Sequence, residues 1–267
     1  MFRLLSFLAA FSLASIALLG PLERKMIYQF DTTRVSPAAA GVPGLRETTL
    51  QSGDETLVLW VARAKPNKPT VLYFHGNAGN LANRAGRFQR FLDRGYGVIA
   101  PAYRGSSGST GTPDQPALTT DAALVYAQIV HLLPDTNPET IVVYGESLGT
   151  GVAISLISTL GTQAAGLVLE APFTSIPDIA LNSYPQFEPL LHLITNRWDS
   201  LSLADTLTLP LLVLHGDQDS LIPIEMGRQI FTAAPSAHKR FFTVKAAGHT
   251  TIWRTDSLPV LWRFIDQ

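Results

Sequence analysis

The run Gly145-Glu146-Ser147-Leu148-Gly149 carries the G-x-S-x-G pattern that often surrounds a serine nucleophile. It follows the apolar run IVVY and precedes a stretch of helical periodicity, so it predicts a sharp strand-to-helix turn with an exposed serine hydroxyl. Glycines two residues away on either side allow the strand and the helix to approach closely. A glycine-rich nucleotide-binding turn is the alternative, but it would require G-x-G-x-x-G spacing or a P-loop lysine, which this run lacks. We therefore predict Ser147 as a catalytic nucleophile.

A serine hydroxyl is a weak nucleophile at neutral pH and needs a base that is itself oriented by an acid. With an elbow of this kind, the expected chain order is serine, then acid, then histidine. Asp217 and Asp219 both follow the apolar run LLVL, and the residues alone leave open which of them is the acid. His249 follows the run RFFTVK and Gly248 on a predicted loop, so we predict it as the base. The remaining histidines are predicted to be structural: His75, His131, His192, His215 and His238.

The negative charge that develops on an attacked carbonyl oxygen needs backbone N–H donors. One predicted donor is the amide of Leu148, directly after the nucleophile. The other is the amide of Asn77, because small residues and glycine keep the backbone of the loop over residues 75–80 exposed.

Short apolar runs alternate with longer amphipathic segments along the chain, which predicts one α/β domain with a mostly parallel central sheet and helices on both faces. The predicted strands are Thr56–Ala62, Thr70–Phe74, Gly97–Pro101, Ile141–Tyr144, Gly166–Glu170, Leu211–Leu214 and Arg240–Val244. The predicted helices are Asn83–Leu92, Leu118–Leu133, Gly149–Leu160, Glu225–Phe231 and Ser257–Ile265.

Residues 172–208 break this alternation, and an insertion of that length between two strands is typical of a short lid. Its apolar side chains predict either a hydrophobic acyl group in the substrate or a cover for the core: Phe187, Leu190, Leu191, Leu193, Ile194 and Trp198.

The composition excludes several classes of protein. With 46% hydrophobic residues and a net charge of −1 in 267 residues, the chain is not intrinsically disordered and offers no basic patch for nucleic acid. It contains no cysteine, which rules out disulfides, thiolate zinc sites and a cysteine nucleophile. We predict no cofactor and no metal, and the sequence makes no prediction of oligomeric state.

The segment Leu4–Gly20 carries no charge and is followed by Pro21 and the charged run Glu23-Arg24-Lys25. As a helix it would measure about 26 Å, slightly less than the hydrocarbon core of a bilayer. We predict that residues 1–25 are a hydrophobic anchor or signal segment and that residues 26–267 form the α/β domain. The protein is then membrane-associated through one N-terminal anchor, with its domain extracytoplasmic, or it is secreted or periplasmic after signal cleavage.

In these motifs the sequence resembles serine hydrolases of the α/β-hydrolase fold. More narrowly, it is similar to the small, N-terminally membrane-anchored α/β-hydrolase-domain proteins related to the prolyl-oligopeptidase-like hydrolases. The stretches that carry the resemblance are LYFHGNAGN (72–80), PAYRGSSGSTG (101–111), YGESLGTG (144–151), APFTSIPDIA (171–180), NRWDSL (196–201), HGDQDSLIP (215–223) and GHTTIW (248–253).

The resemblance implies a Ser147–His249–Asp219 triad, since the family pattern H-G-x-x-D-x-x-[VI]-P places its acid on Asp219. The implied activity is hydrolysis of a carboxylic ester or acyl-thioester of a small-molecule or lipid-like substrate through an acyl-enzyme. Two alternatives remain, a serine peptidase of prolyl-oligopeptidase-like type and a non-catalytic binding protein with this fold. We also expect Arg104 and Asp121 to form a structural pair outside the catalytic machinery.

Overall fold

A computed structural model of the chain describes residues 20–160 and 163–267. The predicted anchor or signal segment therefore lies almost entirely outside the described residues. Among those that are described, no helix combines the length and the apolar character needed to span a bilayer. The strands are β1 (Gln29–Phe30), β2 (Arg46–Ser52), β3 (Glu55–Ala62), β4 (Thr70–Phe74), β5 (Ala78–Gly79), β6 (Gly97–Pro101), β7 (Ile141–Glu146), β8 (Gly166–Glu170), β9 (Leu211–Gly216) and β10 (Lys239–Val244).

Eight strands form the central sheet in the order β10-β9-β8-β7-β4-β6-β3-β2. Two of its pairings are antiparallel, β2 with β3 and β3 with β6, and the other five are parallel, so the prediction of a mostly parallel sheet is confirmed. All the predicted strands are present, as β3, β4, β6, β7, β8, β9 and β10. The edge strand β2 was not predicted, because its sequence RETTLQS is mostly polar and contains no apolar run. Its residues are accordingly buried in an irregular pattern.

The helices are α1 (residues 20–27), α2 (Ala85–Asp93), α3 (Gln115–Ala127), α4 (Ile129–Leu132), α5 (Leu148–Leu160), α6 (Ile176–Ser183), α7 (Ile224–Ala233) and α8 (Leu258–Ile265). The prediction of one helix over Leu118–Leu133 is wrong, because Gln128 ends α3 and α4 follows as a separate turn. The amide of Gln128 is shared among the carbonyls of Leu124, Val125 and Tyr126, which tightens the end of α3. Asp114 caps the helix start by accepting a hydrogen bond from the amide of Ala117.

The sheet is buried on both faces, as its continuous apolar strands predict. On one face, Leu118 of α3 and Val152 of α5 pack in the same cluster as Leu72. On the other face, Phe88 of α2 and Leu261 of α8 pack in the cluster that contains Tyr73. The alternating residues of β4 thus contribute to two separate cores. The expected pair of Arg104 and Asp121 is also confirmed, with Arg104 Nε 2.8 Å from Asp121 Oδ2.

The 172–208 segment lies between β8 and β9 and contains α6 and two 3-10 turns, Pro185–Leu193 and Leu201–Thr206. Its apolar residues divide into two groups. Trp198 is fully buried in the core that contains Phe173, so it covers the core rather than lining an outer face. Phe187, Leu190 and Leu193 are exposed.

Backbone contacts hold the start of α5 against the sheet. A β-carbon added to Gly149 would lie 2.1 Å from the carbonyl oxygen of Phe74 in β4. One added to Gly145 would lie 2.5 Å from the carbonyl oxygen of Gly149. Both positions therefore require glycine for steric reasons, and this close packing places α5 directly after β7.

We predict that Gly149→Ala prevents formation of a well-packed native state. The new methyl group would overlap backbone rather than a side chain that can move aside, so the cost should exceed the usual range for overpacking, about 1–3 kcal/mol. The matched control is Gly86→Ala in α2, where an added β-carbon meets nothing within 4 Å. Urea unfolding followed by circular dichroism should show the control unchanged or stabilised by up to about 1 kcal/mol. Equal stability of the two variants would contradict this steric account.

Candidate active site

Ser147 occupies the turn between β7 and α5 with a strained backbone. Its φ of +52° lies in the left-handed region, which residues other than glycine rarely adopt. Neighbouring groups hold the turn: the Ser147 amide donates to the Glu170 carbonyl at 2.8 Å, and the Thr150 amide donates to the Ser147 carbonyl at 2.8 Å. The hydroxyl is thereby presented at the carboxyl edge of the sheet, where ligands of open α/β sheets bind.

Ser147, His249 and Asp219 are brought together at this edge from the segments after β7, β10 and β9. Ser147 Oγ lies 2.9 Å from His249 Nε2, and His249 Nδ1 lies 2.7 Å from Asp219 Oδ2. An ionised carboxylate is an acceptor only, so this network assigns the histidine proton to Nδ1 and leaves Nε2 free to accept the serine proton.

Asp219 is held ionised and fixed in orientation. Its Oδ1 accepts hydrogen bonds from the amides of Leu221 and Ile222 at 3.0 and 2.9 Å. Burial alone would raise the pKa of Asp219, but the hydrogen bond and charge of His249 and the Ile222 amide bring it below the ordinary value.

The other candidate acid, Asp217, has a different set of contacts. Its Oδ1 accepts a hydrogen bond from the amide of Ala246 at 2.7 Å, and its Oδ2 lies 3.7 Å from Lys245 Nζ. Asp217 thus stabilises the loop that leads to His249, while Asp219 contacts the imidazole itself.

The amides of Asn77 and Leu148 have no hydrogen-bond acceptor within the described part of the chain. The loop that carries Asn77 is fixed by the N-terminal segment, because the Gln29 amide donates to the Asn77 carbonyl at 2.9 Å. The Asn77 side chain in turn donates to the Ile27 carbonyl at 3.0 Å. Both amides are therefore free donors at the start of α5 and in the loop after β4, as an oxyanion site requires.

A buried ion pair lies beside the elbow and was missed by the sequence analysis. Glu146, the residue before the serine, accepts hydrogen bonds from Arg84 Nη2 at 3.0 Å and from Arg84 Nε at 3.2 Å. Arg84 Nη1 also donates to the Ala78 carbonyl at 2.6 Å, so one guanidinium joins the elbow to the loop of Asn77. Burial would raise the pKa of Glu146, but the charges of Arg87 and Arg84 hold it well below its usual range.

A second buried pair extends this network to β8. Arg87 binds Glu170 through two bonds of 2.6 and 2.9 Å, the geometry that makes arginine–carboxylate pairs strong. Trp253 Nε1 donates to Glu170 Oε2 at 2.9 Å, and the Tyr144 hydroxyl donates to the same oxygen. Arg84 and Arg87 are three residues apart, one helical turn, which is the only signal of this arrangement in the sequence.

Two other histidines lie close to the site but have structural contacts. Burial lowers the pKa of His75 to about 3, and its Nδ1 lies 2.8 Å from the Gly76 carbonyl oxygen. Burial also lowers the pKa of His215, whose Nε2 lies 2.9 Å from the Ile222 carbonyl oxygen. Both are neutral near pH 7 and support the loops of Asn77 and Asp219.

The described residues, 20–160 and 163–267, hold one further cavity of note but no metal-binding cluster. No group of three or more histidine and carboxylate side chains there is arranged to hold a metal ion. A cavity of about 710 Å³ lies at the amino end of β4 and is lined by residues 63–70, 134–137, 139, 140, 165 and 265–267. This cavity contains none of the predicted site residues.

Two family models match the chain. The model described as "alpha/beta hydrolase fold" matches residues 69–191, and the model described as "Serine aminopeptidase, S33" matches residues 198–256. Between them they include the elbow, the acid and the histidine.

Similar proteins of known sequence include the lysophosphatidylserine lipase ABHD12 of Danio rerio, 30% identical over 218 residues. The alignment covers 72% of this chain and 56% of that protein, so the chain spans little more than half of this relative. An uncharacterized protein of Mycobacterium tuberculosis is 29% identical over 230 residues, 85% of this chain and 80% of that protein. Among solved structures, the esterase Pf2001 of Pyrococcus furiosus has a TM-score of 0.70 at 18% identity and covers 89% of this chain and 97% of its own.

We predict that Arg87→Met destabilises the fold by about 3–5 kcal/mol, because it leaves a buried carboxylate unpaired. The Glu170 side chain is only 2% exposed, whereas Asp135, the partner of Arg63, is 90% exposed. Arg63→Met is therefore the matched control, expected to cost less than about 1 kcal/mol. The free energy of unfolding from urea titration measures both, and similar values for the two variants would refute the assigned importance of the buried pair.

Proposed function

The chain has the α/β-hydrolase fold, and from this premise we propose that it is a serine hydrolase that cleaves carboxylic esters or acyl-thioesters with Ser147, His249 and Asp219 as its triad. The observation that carries the proposal is the continuous hydrogen-bonded chain from Ser147 Oγ through both nitrogens of His249 to Asp219 Oδ2. Nucleophile, base and orienting acid are thus in contact before any substrate binds.

In the first half-reaction, Ser147 Oγ attacks the carbonyl carbon of the substrate while His249 Nε2 takes the serine proton. Asp219 stabilises the positive imidazolium that results. The carbonyl oxygen becomes an oxyanion that accepts hydrogen bonds from the amides of Asn77 and Leu148. As this intermediate collapses, the bond between the acyl carbon and the leaving oxygen or sulfur breaks. His249 gives its proton to that atom, which departs as an alcohol or a thiol. The acyl group remains as an ester of Ser147.

In the second half-reaction, water replaces the alcohol or thiol. His249 Nε2 takes a proton from this water, whose oxygen attacks the acyl carbon, and the same two amides stabilise the second oxyanion. Collapse breaks the bond to Ser147 Oγ, and His249 returns the proton to that oxygen. The products are a carboxylic acid and the free enzyme.

For the substrate we propose a lipid-like acyl ester. The ABHD12 relative is described as a lysophosphatidylserine lipase. Its alignment covers 72% of this chain, which supports a substrate of the same class. The exposed apolar side chains Phe187, Leu190 and Leu193 of the lid suit a substrate with a hydrocarbon chain.

A serine peptidase is the second candidate. It is favoured by the match of residues 198–256, which contain Asp219 and His249, to the model described as a serine aminopeptidase. That match does not include the elbow of Ser147, and it is shorter than the match to the general fold model.

We also propose that residues 1–25 attach the protein to a membrane and that the domain of residues 26–267 is extracytoplasmic. The support for the attachment is the uncharged, apolar run Leu4–Gly20, which is bounded by charged residues.

We predict that Ser147→Ala abolishes covalent labelling by a fluorophosphonate probe, because the attacking hydroxyl is gone. Ser36→Ala is the control, because Ser36 is exposed and distant in sequence from Ser147. This variant should label as fully as the wild-type protein. Gel fluorescence after labelling measures both. Full labelling of the Ser147→Ala variant would rule out the proposed nucleophile.

We predict that kcat/KM for p-nitrophenyl esters increases with acyl length from butyrate to octanoate. Burying one more methylene is worth about 0.8 kcal/mol at most, so each added carbon should raise kcat/KM by up to about fourfold. Aminoacyl p-nitroanilides form the comparison series. Cleavage of the anilides with no turnover of any ester would replace the esterase proposal with the peptidase.

A further inference from the structure

The outer edge of the lid carries a row of large apolar side chains in solvent. Tyr184 directly precedes the 3-10 turn Pro185–Leu193, and Phe187, Leu190 and Leu193 follow at intervals of three residues. A 3-10 helix has about three residues per turn, so side chains at this spacing lie one above the other. All four are between 43% and 53% exposed. They form one continuous ridge, which we call the lid ridge.

A second exposed apolar pair lies on α1. Leu22 and Met26 are four residues apart, on one face of the helix, and are 56% and 61% exposed. Arg24 and Lys25 lie between them in sequence. The chain that leads into α1 is the uncharged run that begins at Leu4.

Hydrogen bonds fix α1 to the end of the lid ridge. Glu23 Oε1 accepts from the amides of Thr195 and Asn196 at 3.0 and 2.6 Å, and Glu23 Oε2 accepts from the Thr195 hydroxyl at 2.9 Å. Burial would raise the pKa of Glu23, but these bonds bring it below its ordinary value, so the carboxylate stays charged. The Tyr28 hydroxyl donates to Asn196 Oδ1 at 2.9 Å and anchors the same point from the other end of the helix. Thr195 is two residues beyond Leu193, so these bonds hold α1 beside the end of the lid ridge.

We propose that the lid ridge, with Leu22 and Met26, forms a single surface that rests in the interface of a lipid bilayer. Large exposed apolar patches in a folded domain mark surfaces that are covered in use. The occupant follows from the chain itself: α1 continues an apolar segment of nearly bilayer length, so a membrane that takes up this segment lies against α1 and the ridge bound to it.

The chemistry of the surface suits an interface rather than a protein partner. Tyr184 and Phe187 have large aromatic rings, and such side chains favour the boundary between headgroups and acyl chains. Arg24 and Lys25 suit the phosphates of anionic lipids at the same depth. This contact goes beyond attachment through residues 1–25, because it sets the orientation of the catalytic domain on the membrane and places the lid against the bilayer.

The absence of cysteine from the chain allows a clean test, since any introduced thiol is the only one. Phe187→Cys and Leu190→Cys place it on the ridge. Val130→Cys on α4 is the matched control, because Val130 is 49% exposed and Phe187 is 51% exposed. Each full-length variant is labelled with an environment-sensitive nitrobenzoxadiazole dye and reconstituted into phosphatidylcholine–phosphatidylglycerol vesicles with or without acyl chains that carry bromine.

Brominated lipid should quench the dye at positions 187 and 190 several-fold more strongly than at position 130, with a blue-shifted emission only at the ridge. Equal, weak quenching at all three positions in vesicle-bound protein would overturn the proposal while leaving the anchor intact. Failure of the full-length protein to float with the vesicles would overturn both. A ridge signal that is insensitive to bromine but weakens when labelled protein is diluted with unlabelled protein would assign the surface to a second copy of the chain instead.

Discussion

The candidate active site depends on two arginines, Arg84 directly before α2 and Arg87 within it, that neutralise two buried carboxylates at the carboxyl ends of β7 and β8. Removing such charges from water is costly unless each is paired and hydrogen-bonded, and here Arg84 and Arg87 each bind a carboxylate through two nitrogens. Glu146 directly precedes Ser147, the proposed nucleophile, so an unpaired charge there would oppose the oxyanion that the proposed mechanism forms nearby. The ion pairs thus permit a sharp turn of the chain at Ser147 while keeping its surroundings receptive to negative charge.

Most of the sheet could be predicted from the sequence because its strands are buried on both faces and therefore read as continuous apolar runs. The proximity of Ser147 and His249 was predictable for a different reason. Ser147 and His249 each follow an apolar run and have glycine beside them, in an order that restricts the choice. The residues alone did not separate Asp217 from Asp219, because both lie on the same short loop and only the direction of each side chain distinguishes them.

The features that were missed are those in which side chains meet across long stretches of sequence. Nothing local marks Glu23 as a partner of Asn196, or Arg84 as a partner of Glu146. The polar edge strand β2 escaped detection because it needs no apolar face to pair with β3. The sequence left open whether Trp198 binds substrate or covers the core, because only its contacts distinguish the two, and those contacts are with the core.

The N-terminal segment also forms part of the site's architecture. Residues 23–31 bind the lid through Glu23 and the loop of Asn77 through Ile27, Gln29 and Asp31. Cleavage of the chain between Glu23 and Ile27 would separate the lid contact from the loop contacts, whereas cleavage before Glu23 would leave all of these bonds in place. The same few residues therefore couple the position of the lid to that of the Asn77 loop, and a protease that acted between the two contacts would loosen both at once.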